Sequence, residues 1–298
     1  MKSNFDNELY NLNNVTPLIV CGPARSGTRM MTDLLNLHPQ IAIQDEMYSK
    51  VIEEYFKFLD NIDELFNEYA NRKGRRLDQS WHNSKHILTH TFLSLFTKSK
   101  SSNDIAEKER LNDKLIHAKK MLTHVFLGCA NKNHELAENK ELLFHGIKTP
   151  GYERYMPQFE DLFQQTPPYY IYCLREVDKV WRSWKSLGYL NDIELFHTRY
   201  LRSLRQANKI RKKVGDRFIL FELDKYISSP EKNVFLYDNI FSKLGFQSLD
   251  SIEEISNRNS IRKAGARYIE DSDTMKEMKF LLDSKDINKY KEALRTSD

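Results

Sequence analysis

The feature that most constrains the fold of this chain is a strand, a small-residue loop and a helix in direct succession within residues 17–37. Residues 18–21 (Leu-Ile-Val-Cys) form an apolar run, which is typical of a strand buried on both faces. Residues 22–27, which we call the glycine loop, interrupt this run. Apolar residues then recur at helical spacing: Met30, Met31, Leu34, Leu35 and Leu37. A loop that leads into a helix presents free backbone N–H groups and the positive end of the helix dipole at one point, which suits a phosphate.

The glycine loop has the spacing of a nucleoside-triphosphate-binding loop but lacks its lysine. A Walker loop, G-x-x-x-x-G-K-[ST], places the lysine on the β/γ-phosphates and the hydroxyl on Mg²⁺. Gly22 and Gly27 match this spacing, whereas Thr28-Arg29 stand in place of Lys-Ser/Thr. The cation lies inside the loop, so we expect an anion held without Mg²⁺ by backbone amides and by Arg25, Ser26 and Thr28. An ordinary strand–helix turn is the alternative interpretation.

The composition suits one large α/β domain, or a domain with an insertion. The chain has 298 residues and a formal charge of +4. This mild excess does not by itself imply nucleic-acid or membrane binding, since a local basic cleft for an anionic ligand is sufficient. The three cysteines (Cys21, Cys129 and Cys173) show neither a disulfide framework nor a metal-ligand spacing. We expect a cytoplasmic protein, because no secretory leader and no long apolar run is visible, and a loose polar arm over residues 1–16.

Residues 22–28 (Gly-Pro-Ala-Arg-Ser-Gly-Thr), with His38-Pro39 after the helix, resemble the 5′-phosphosulfate loop of one enzyme family. This family is the sulfotransferases that use 3′-phosphoadenosine 5′-phosphosulfate (PAPS), whose bacterial and Golgi-type members typically carry P-R-S-G-T-[ST]. Because Ala24 follows Pro23, either one residue is inserted here or Pro23 is not the proline of that pattern. The resemblance implies that this segment binds the donor through Pro23, Ala24, Arg25, Ser26, Gly27, Thr28 and Arg29.

Two later segments resemble the same family. Lys148-Thr149-Pro150 follow a predicted strand, as K-[ST]-P does in many members, and this implies that Lys148 reaches the donor sulfate or bridging oxygen; a surface lysine at a turn is the alternative. Residues 174–184 resemble L-R-[ND]-P-x-D-x-x-x-S-[WY], with Val177 in place of the proline. This implies that Arg175 and Ser183 hold the 3′-phosphate. A guanidinium suits a terminal phosphate, because its planar fork makes paired charge-assisted hydrogen bonds.

A carboxylate for proton transfer is also implied by the resemblance. In many family members the general base ends a H-P-x-I-x-x-x-x-E stretch, and Glu46 falls on that position, with Asp45 as its alternate and a solvated acidic turn as the other interpretation. Sulfuryl transfer to a hydroxyl needs such a base near the transferred group. We expect this segment beside the glycine loop, because the helix between them is short. Arg262 and Lys263 resemble, one residue out of register, a loop that closes on the 3′-phosphate in cytosolic sulfotransferases.

Residues 47–140 differ in character from the rest of the chain, being charged and nearly free of Pro and Gly. We interpret them as a helical insertion after the first βα unit, placed to bind the acceptor as a cap. His82, His86 and His90 are spaced four apart, hence roughly on one helix face. The first and third lie too far apart along the axis for one tetrahedral zinc ion. We therefore expect no metal site.

Together these patterns predict an α/β fold over residues 1–298, with a P-loop-type parallel sheet flanked by helices. The resemblance implies a PAPS-dependent sulfotransferase that acts on a hydroxyl or amine of a small-molecule, carbohydrate or lipid-linked acceptor, with no nucleic-acid partner. Arg25 and Lys148 would neutralise the leaving group, Glu46 would take the acceptor proton, and no metal would be required. A small-molecule kinase and a catalytically silent nucleotide-binding protein of the same fold are the alternatives.

Overall fold

The structure is a computed structural model that describes residues 15–44, 53–61, 142–164, 166–247 and 272–296. Contacts divide the chain into two compact units, Met1–Met47 with Leu127–Asp298, and Tyr48–Phe126. Of the second unit, the structure describes one helix over residues 53–61. Several predictions fall outside the described residues: most of the arm, nearly all of the insertion, and Asp45, Glu46, Arg262 and Lys263.

A parallel five-stranded sheet lies at the centre of the first unit. Its strands are β1 (Thr16–Cys21), β2 (Ile41–Gln44), β3 (Phe144–Lys148), β4 (Tyr169–Leu174) and β5 (Phe218–Glu222), in the spatial order β2-β3-β1-β4-β5. The side chains of residues 18–21 in β1 are wholly buried, as expected for a central strand that is covered on both faces. The predicted parallel α/β fold is therefore confirmed.

Helices flank this sheet. Their bounds are α1 (Thr28–Leu35), α2 (Met156–Leu162), α3 (Val177–Ser186), α4 (Ile193–Val214), α5 (Leu223–Ser228), α6 (Lys232–Leu236), α7 (Ser272–Leu282) and α8 (Lys285–Arg295). Short 3₁₀ turns occupy Tyr152–Tyr155 and Gly215–Arg217. Among the described helices, none is long and apolar enough to cross a membrane.

One predicted helix differs from its expected form. The sequence predicts a helix from Pro230 to Leu244, but α6 begins at Lys232 and passes into a π turn over Tyr237–Phe241 and a 3₁₀ turn over Ser242–Leu244. Ile240 and Phe241 are both fully buried within the core that α1 and α6 form against the sheet. The π turn departs from the regular helical spacing that the sequence pattern assumes, so the prediction of one continuous helix was wrong over this stretch.

The order of the strands positions a crevice at the carboxyl end of β1. The chain adds β2 and β3 on one side of β1 and then crosses to the other side to form β4. Ligands of open α/β sheets bind outside the strand ends at such a reversal. The glycine loop, Lys148 and Arg175 all follow or end strands at this edge.

The position of β2 differs from the expectation. Because β2 pairs with β3, β3 lies between β2 and β1. The strand that precedes Asp45 and Glu46 in the sequence is therefore not adjacent to β1, from which the glycine loop continues.

Candidate anion-binding site

The carbonyl groups of the glycine loop are occupied by donors from within the protein. The Pro23 carbonyl accepts hydrogen bonds from the Ser26 N–H at 3.1 Å and from the Ser26 hydroxyl at 2.6 Å. The next carbonyl, of Ala24, accepts from Trp184 Nε1 at 2.9 Å. The carbonyl of Arg25 accepts from Arg175 Nη1 at 3.2 Å. Three successive acceptors are thus satisfied, which leaves N–H groups as the polar groups that the loop offers to a ligand.

The backbone conformation of the loop suits an anion. Gly22, Arg25 and Gly27 have positive φ angles of 135°, 73° and 98°, and alternation of this kind turns successive N–H groups into an anion-binding concavity. Gly27 is the N-cap of α1, so the N–H groups that follow it have no intrahelical partner. Positive φ is uncommon for a residue with a side chain, and at Arg25 the two hydrogen bonds from Trp184 and Arg175 hold the flanking carbonyls in place.

Gly22 is confined by the neighbouring strand. A Cβ atom at this position would lie 2.4 Å from the carbonyl oxygen of Cys173 and 3.0 Å from Ser26 Oγ. Its φ of 135° is also one that residues with a side chain rarely adopt. The first glycine of the loop is therefore required both for its conformation and for the close approach of β4.

The structure brings three of the predicted site residues together. Arg25 Nε donates a hydrogen bond to Ser183 Oγ at 2.9 Å, and Arg175 reaches the backbone of the same Arg25. Ser183 is buried on α3. Arg175 Nε is also buried, and it has no hydrogen-bond partner among the described residues. A buried donor without a partner is costly, so this guanidinium retains capacity to bind an acceptor at the site.

Lys148 lies on the other side of β1. It ends β3, pairs in register with Val20 and is only 2% exposed, so it is not the surface lysine of the alternative interpretation. Its positive charge lowers the pKa of the Cys173 thiol on β4, although burial raises that pKa by more. The ammonium group is therefore close enough to act electrostatically on a side chain of β4, across β1.

The remaining predicted loop residues take different positions. Both donors of Ser26 are used inside the loop, so its side chain maintains the loop's shape. Thr28 is buried, and its hydroxyl donates no hydrogen bond within the described part of the chain. Arg29 is exposed on α1.

The sequence analysis did not identify Trp184 as a residue of the site. Its helical spacing is that of a core residue, yet its indole N–H donates a hydrogen bond to the Ala24 carbonyl of the loop.

The two C-terminal helices support the segment that carries Arg175 and Ser183. Glu277 on α7 accepts hydrogen bonds from Trp181 Nε1 at 3.0 Å and from Lys185 Nζ at 2.7 Å, both on α3. Glu176, next to Arg175, forms ion pairs with Lys291 and Arg295 of α8. Sequence reasoning assigned no role to these helices, because no local pattern reveals partners so distant in the chain.

Comparisons with known proteins identify one family. The sequence model of the sulfotransferase family matches residues 17–235, which include the sheet and both segments of the site. No curated protein sequence matches the chain significantly.

Among solved structures, the sulfotransferase domain of the olefin synthase from Synechococcus is similar over 96% of each chain, at 16% identity and a TM-score of 0.50. At this identity the likeness shows a shared fold. A sulfotransferase from Mycobacterium avium is matched over 85% of this chain and 70% of its own, at 13% identity and a TM-score of 0.45.

Proposed function

Because the chain belongs to the sulfotransferase family, we propose that it moves the sulfuryl group of PAPS to a hydroxyl or amine of an acceptor. The contact of Arg25 with Ser183, beside Arg175, is the observation that carries this proposal. It joins, at the carboxyl edge of the sheet, the two segments expected to hold the 5′- and 3′-phosphates of one nucleotide. We further propose that the acceptor is a small molecule, a carbohydrate or a lipid-linked compound, and that the protein is cytoplasmic.

The 5′-phosphate would lie at the start of α1. The N–H groups of Gly27, Thr28 and Arg29 make no backbone hydrogen bond within the described residues, and the helix dipole adds favourable potential for an anion. The Thr28 hydroxyl and the Arg25 guanidinium supply further donors. Pro23, Ala24 and Ser26 would act through the shape of the loop, since the Pro23 and Ala24 carbonyls and the Ser26 N–H and hydroxyl are already engaged.

The 3′-phosphate would lie between Arg175 and Ser183. The buried Nε of Arg175 has no partner among the described residues, and a phosphate is the acceptor that a guanidinium pairs with most strongly. This half of the site would distinguish PAPS from ATP, which has no 3′-phosphate. It would also make the site selective for the nucleotide rather than for any phosphate.

The proposed reaction is an in-line transfer that depends mainly on positioning and charge stabilisation. The acceptor oxygen or nitrogen forms a bond to sulfur while the bond from sulfur to the bridging oxygen of the 5′-phosphate breaks. Arg25 and Lys148 neutralise the charge that develops on that oxygen. The acceptor proton passes to Glu46, with Asp45 as the alternate. Roles for Glu46, Asp45, Arg262 and Lys263 remain predictions, because these residues lie outside those described.

Thermal denaturation with added nucleotides tests the donor. We expect 3′-phosphoadenosine 5′-phosphate, without metal, to raise the Tm, whereas ADP and Mg·ATP do not. At about 100 times its Kd, a ligand adds about 2.7 kcal/mol to the free energy of unfolding. Arg175→Ala should abolish the shift, and the matched control Arg199→Ala, which removes an exposed arginine of α4, should preserve it.

Two outcomes would change the conclusion. Stabilisation by Mg·ATP alone would replace the proposal with a small-molecule kinase. Binding of 3′-phosphoadenosine 5′-phosphate that is unaltered by Arg175→Ala would overturn the assignment of the 3′-phosphate site. Once an acceptor has been identified by sulfate transfer from PAPS, transfer by Glu46→Gln that equals transfer by the unmodified protein would exclude Glu46 as the base.

A further inference from the structure

A buried carboxylate lies next to the first residue of the glycine loop. Glu153 is in the 3₁₀ turn after β3 and is 4% exposed. The same segment is attached to the end of β1: the Thr149 N–H donates to the Val20 carbonyl at 3.3 Å, and the Gly151 N–H donates to the Gly22 carbonyl at 3.1 Å. The chain after β3 therefore follows β1 into the loop and places Glu153 beside Gly22.

Hydroxyl groups from two other elements lead to this carboxylate. Ser203 Oγ, on α4, donates to Glu153 Oε1 at 2.5 Å. The Tyr172 hydroxyl, on β4, lies 2.9 Å from Ser203 Oγ. Because the Ser203 proton is directed to Glu153, Tyr172 donates to Ser203, and burial raises the pKa of Tyr172 so that it keeps its proton. The result is a directed chain of donors from Tyr172 through Ser203 to Glu153.

The charge of Glu153 is stabilised in part by the loop itself. Burial raises the pKa of this carboxyl group, while the Ser203 hydroxyl, the N–H groups of Glu153 and Gly22, and Arg154 lower it. Oε2 has no hydrogen-bond partner among the described residues, and the Gly22 N–H is one of the groups that favour the charged form of the carboxyl group. Within the described residues Glu153 forms no salt bridge, and a buried carboxylate of this kind is costly to maintain.

We infer that Glu153 is a positioning residue of the donor site, which orients the peptides at Gly22 so that the following loop N–H groups face the 5′-phosphate. This inference rests on the proposed function. The carboxylate attracts the Gly22 N–H, and Gly151 holds the Gly22 carbonyl, so the peptides on both sides of Gly22 are constrained. Glu153 acts through the backbone and does not touch the donor.

Calorimetric titration with 3′-phosphoadenosine 5′-phosphate tests this inference. In Glu153→Gln, the amide oxygen can still accept from Ser203, but the charge is lost and an N–H donor faces the Gly22 N–H. We expect the affinity to fall by about tenfold. This is less than the loss in rate of about a hundredfold that a misplacement of about 1 Å can cause at a reacting centre. The Tm should change little, because two effects offset each other: the variant no longer buries a charge, which favours folding, and it loses the attraction of that charge to the nearby N–H groups, which opposes folding.

Glu160→Gln is the matched control. Glu160 is a partly buried carboxylate in the following helix, α2, where it pairs with Arg217 at 2.8 Å and accepts from the Tyr170 hydroxyl at 3.0 Å. Its replacement should lower the Tm and leave the nucleotide affinity unchanged. The two variants thus separate positioning from stability, because each affects the quantity that the other leaves alone.

Ser203→Ala provides a second variant. It removes the donor to Glu153 without changing any residue of the glycine loop, and we expect a smaller loss of affinity than in Glu153→Gln. If the unmodified protein binds the nucleotide and both variants bind it equally well, the inference is wrong while the proposed function stands; if Glu153→Gln does not fold, unchanged affinity in Ser203→Ala overturns it. If the unmodified protein does not bind the nucleotide at all, the proposed function fails and the inference fails with it.

Discussion

Arg25 Nε donates a hydrogen bond to Ser183 Oγ at 2.9 Å, although 158 residues separate them in the sequence. The bond links the loop after β1 to the helix after β4. It also aligns the Arg25 guanidinium, since Nε is committed to Ser183 and the two Nη groups remain for other acceptors. The two halves of the proposed donor site are therefore coupled, and a change in one should be felt in the other.

Replacement of Ser183 should weaken the nucleotide site. Ser183→Ala removes the acceptor of Arg25 Nε and the proposed donor to the 3′-phosphate. A net loss of about 0.5–1.5 kcal/mol per hydrogen bond corresponds to about a two- to tenfold rise in Kd for 3′-phosphoadenosine 5′-phosphate. Ser186→Ala is the control on the same helix, because among the described residues its hydroxyl donates to the Ser183 carbonyl alone, at 3.1 Å. Equal Kd values for both variants and the unmodified protein would contradict this role.

Gly22→Ala should be strongly destabilising. The added Cβ would lie 2.4 Å from the Cys173 carbonyl, at a φ of 135°. Backbone strain alone costs about 1–3 kcal/mol, and displacement of β4 adds to it, so we expect a loss above about 3 kcal/mol in urea denaturation.

Gly188→Ala isolates the contribution of backbone strain. Gly188 also has a positive φ, of 66°, but a Cβ there meets nothing within 4 Å. The expected loss is about 1–2 kcal/mol. If Gly22→Ala cost no more than Gly188→Ala, the close approach of β4 would not constrain the loop.

Glu277 should contribute to stability across the C-terminal helices. Glu277→Ala leaves the buried Trp181 indole N–H without its acceptor and removes one of the two partners of Lys185. An unsatisfied buried donor costs about 1–3 kcal/mol, which thermal denaturation would detect. Asp273→Ala is the control on the same helix, because its side chain is 78% exposed, and such positions change stability by less than about 0.5 kcal/mol. Similar Tm values for the two variants would show that Glu277 does not stabilise the packing of α7 against α3.

The buried cysteines should be unreactive in the folded protein. Burial raises the pKa of Cys21 and of Cys173, and the thiolate is the reactive form. In a Cys129→Ser variant, iodoacetamide at a pH near the usual thiol pKa of about 8.5 should label both residues in urea and neither in buffer. If mass spectrometry detects the label on either cysteine of the folded protein, the prediction that the two thiols are inaccessible is wrong.

The same shifts predict a dependence of stability on pH. The folded-state pKa values are raised, so the folded protein keeps both thiol protons while the unfolded chain releases them above about pH 8.5. The free energy of unfolding should therefore be unaffected by these thiols below that pH and should fall as the pH rises above it. A Cys173→Ala variant should show a shallower decline in urea denaturation at alkaline pH.

Local sequence patterns determined the elements of this protein and the types of residue at their ends. The apolar run before Gly22, the helical spacing after Gly27, and the strand and helix around Arg175 depend on contacts between near neighbours, so the order of residues is enough to predict them. The same patterns carried the family resemblance, which the match over residues 17–235 confirms.

The tertiary structure decided how these elements meet. It placed β3 between β1 and β2 and buried Lys148. It also joined Arg25 to Ser183 and linked Tyr172, Ser203 and Glu153 by hydrogen bonds. No local pattern specifies such contacts, because each unites residues from elements far apart in the chain. They exist because strand order and helix packing bury polar groups together, and each buried group must then find its partner in whichever element lies against it.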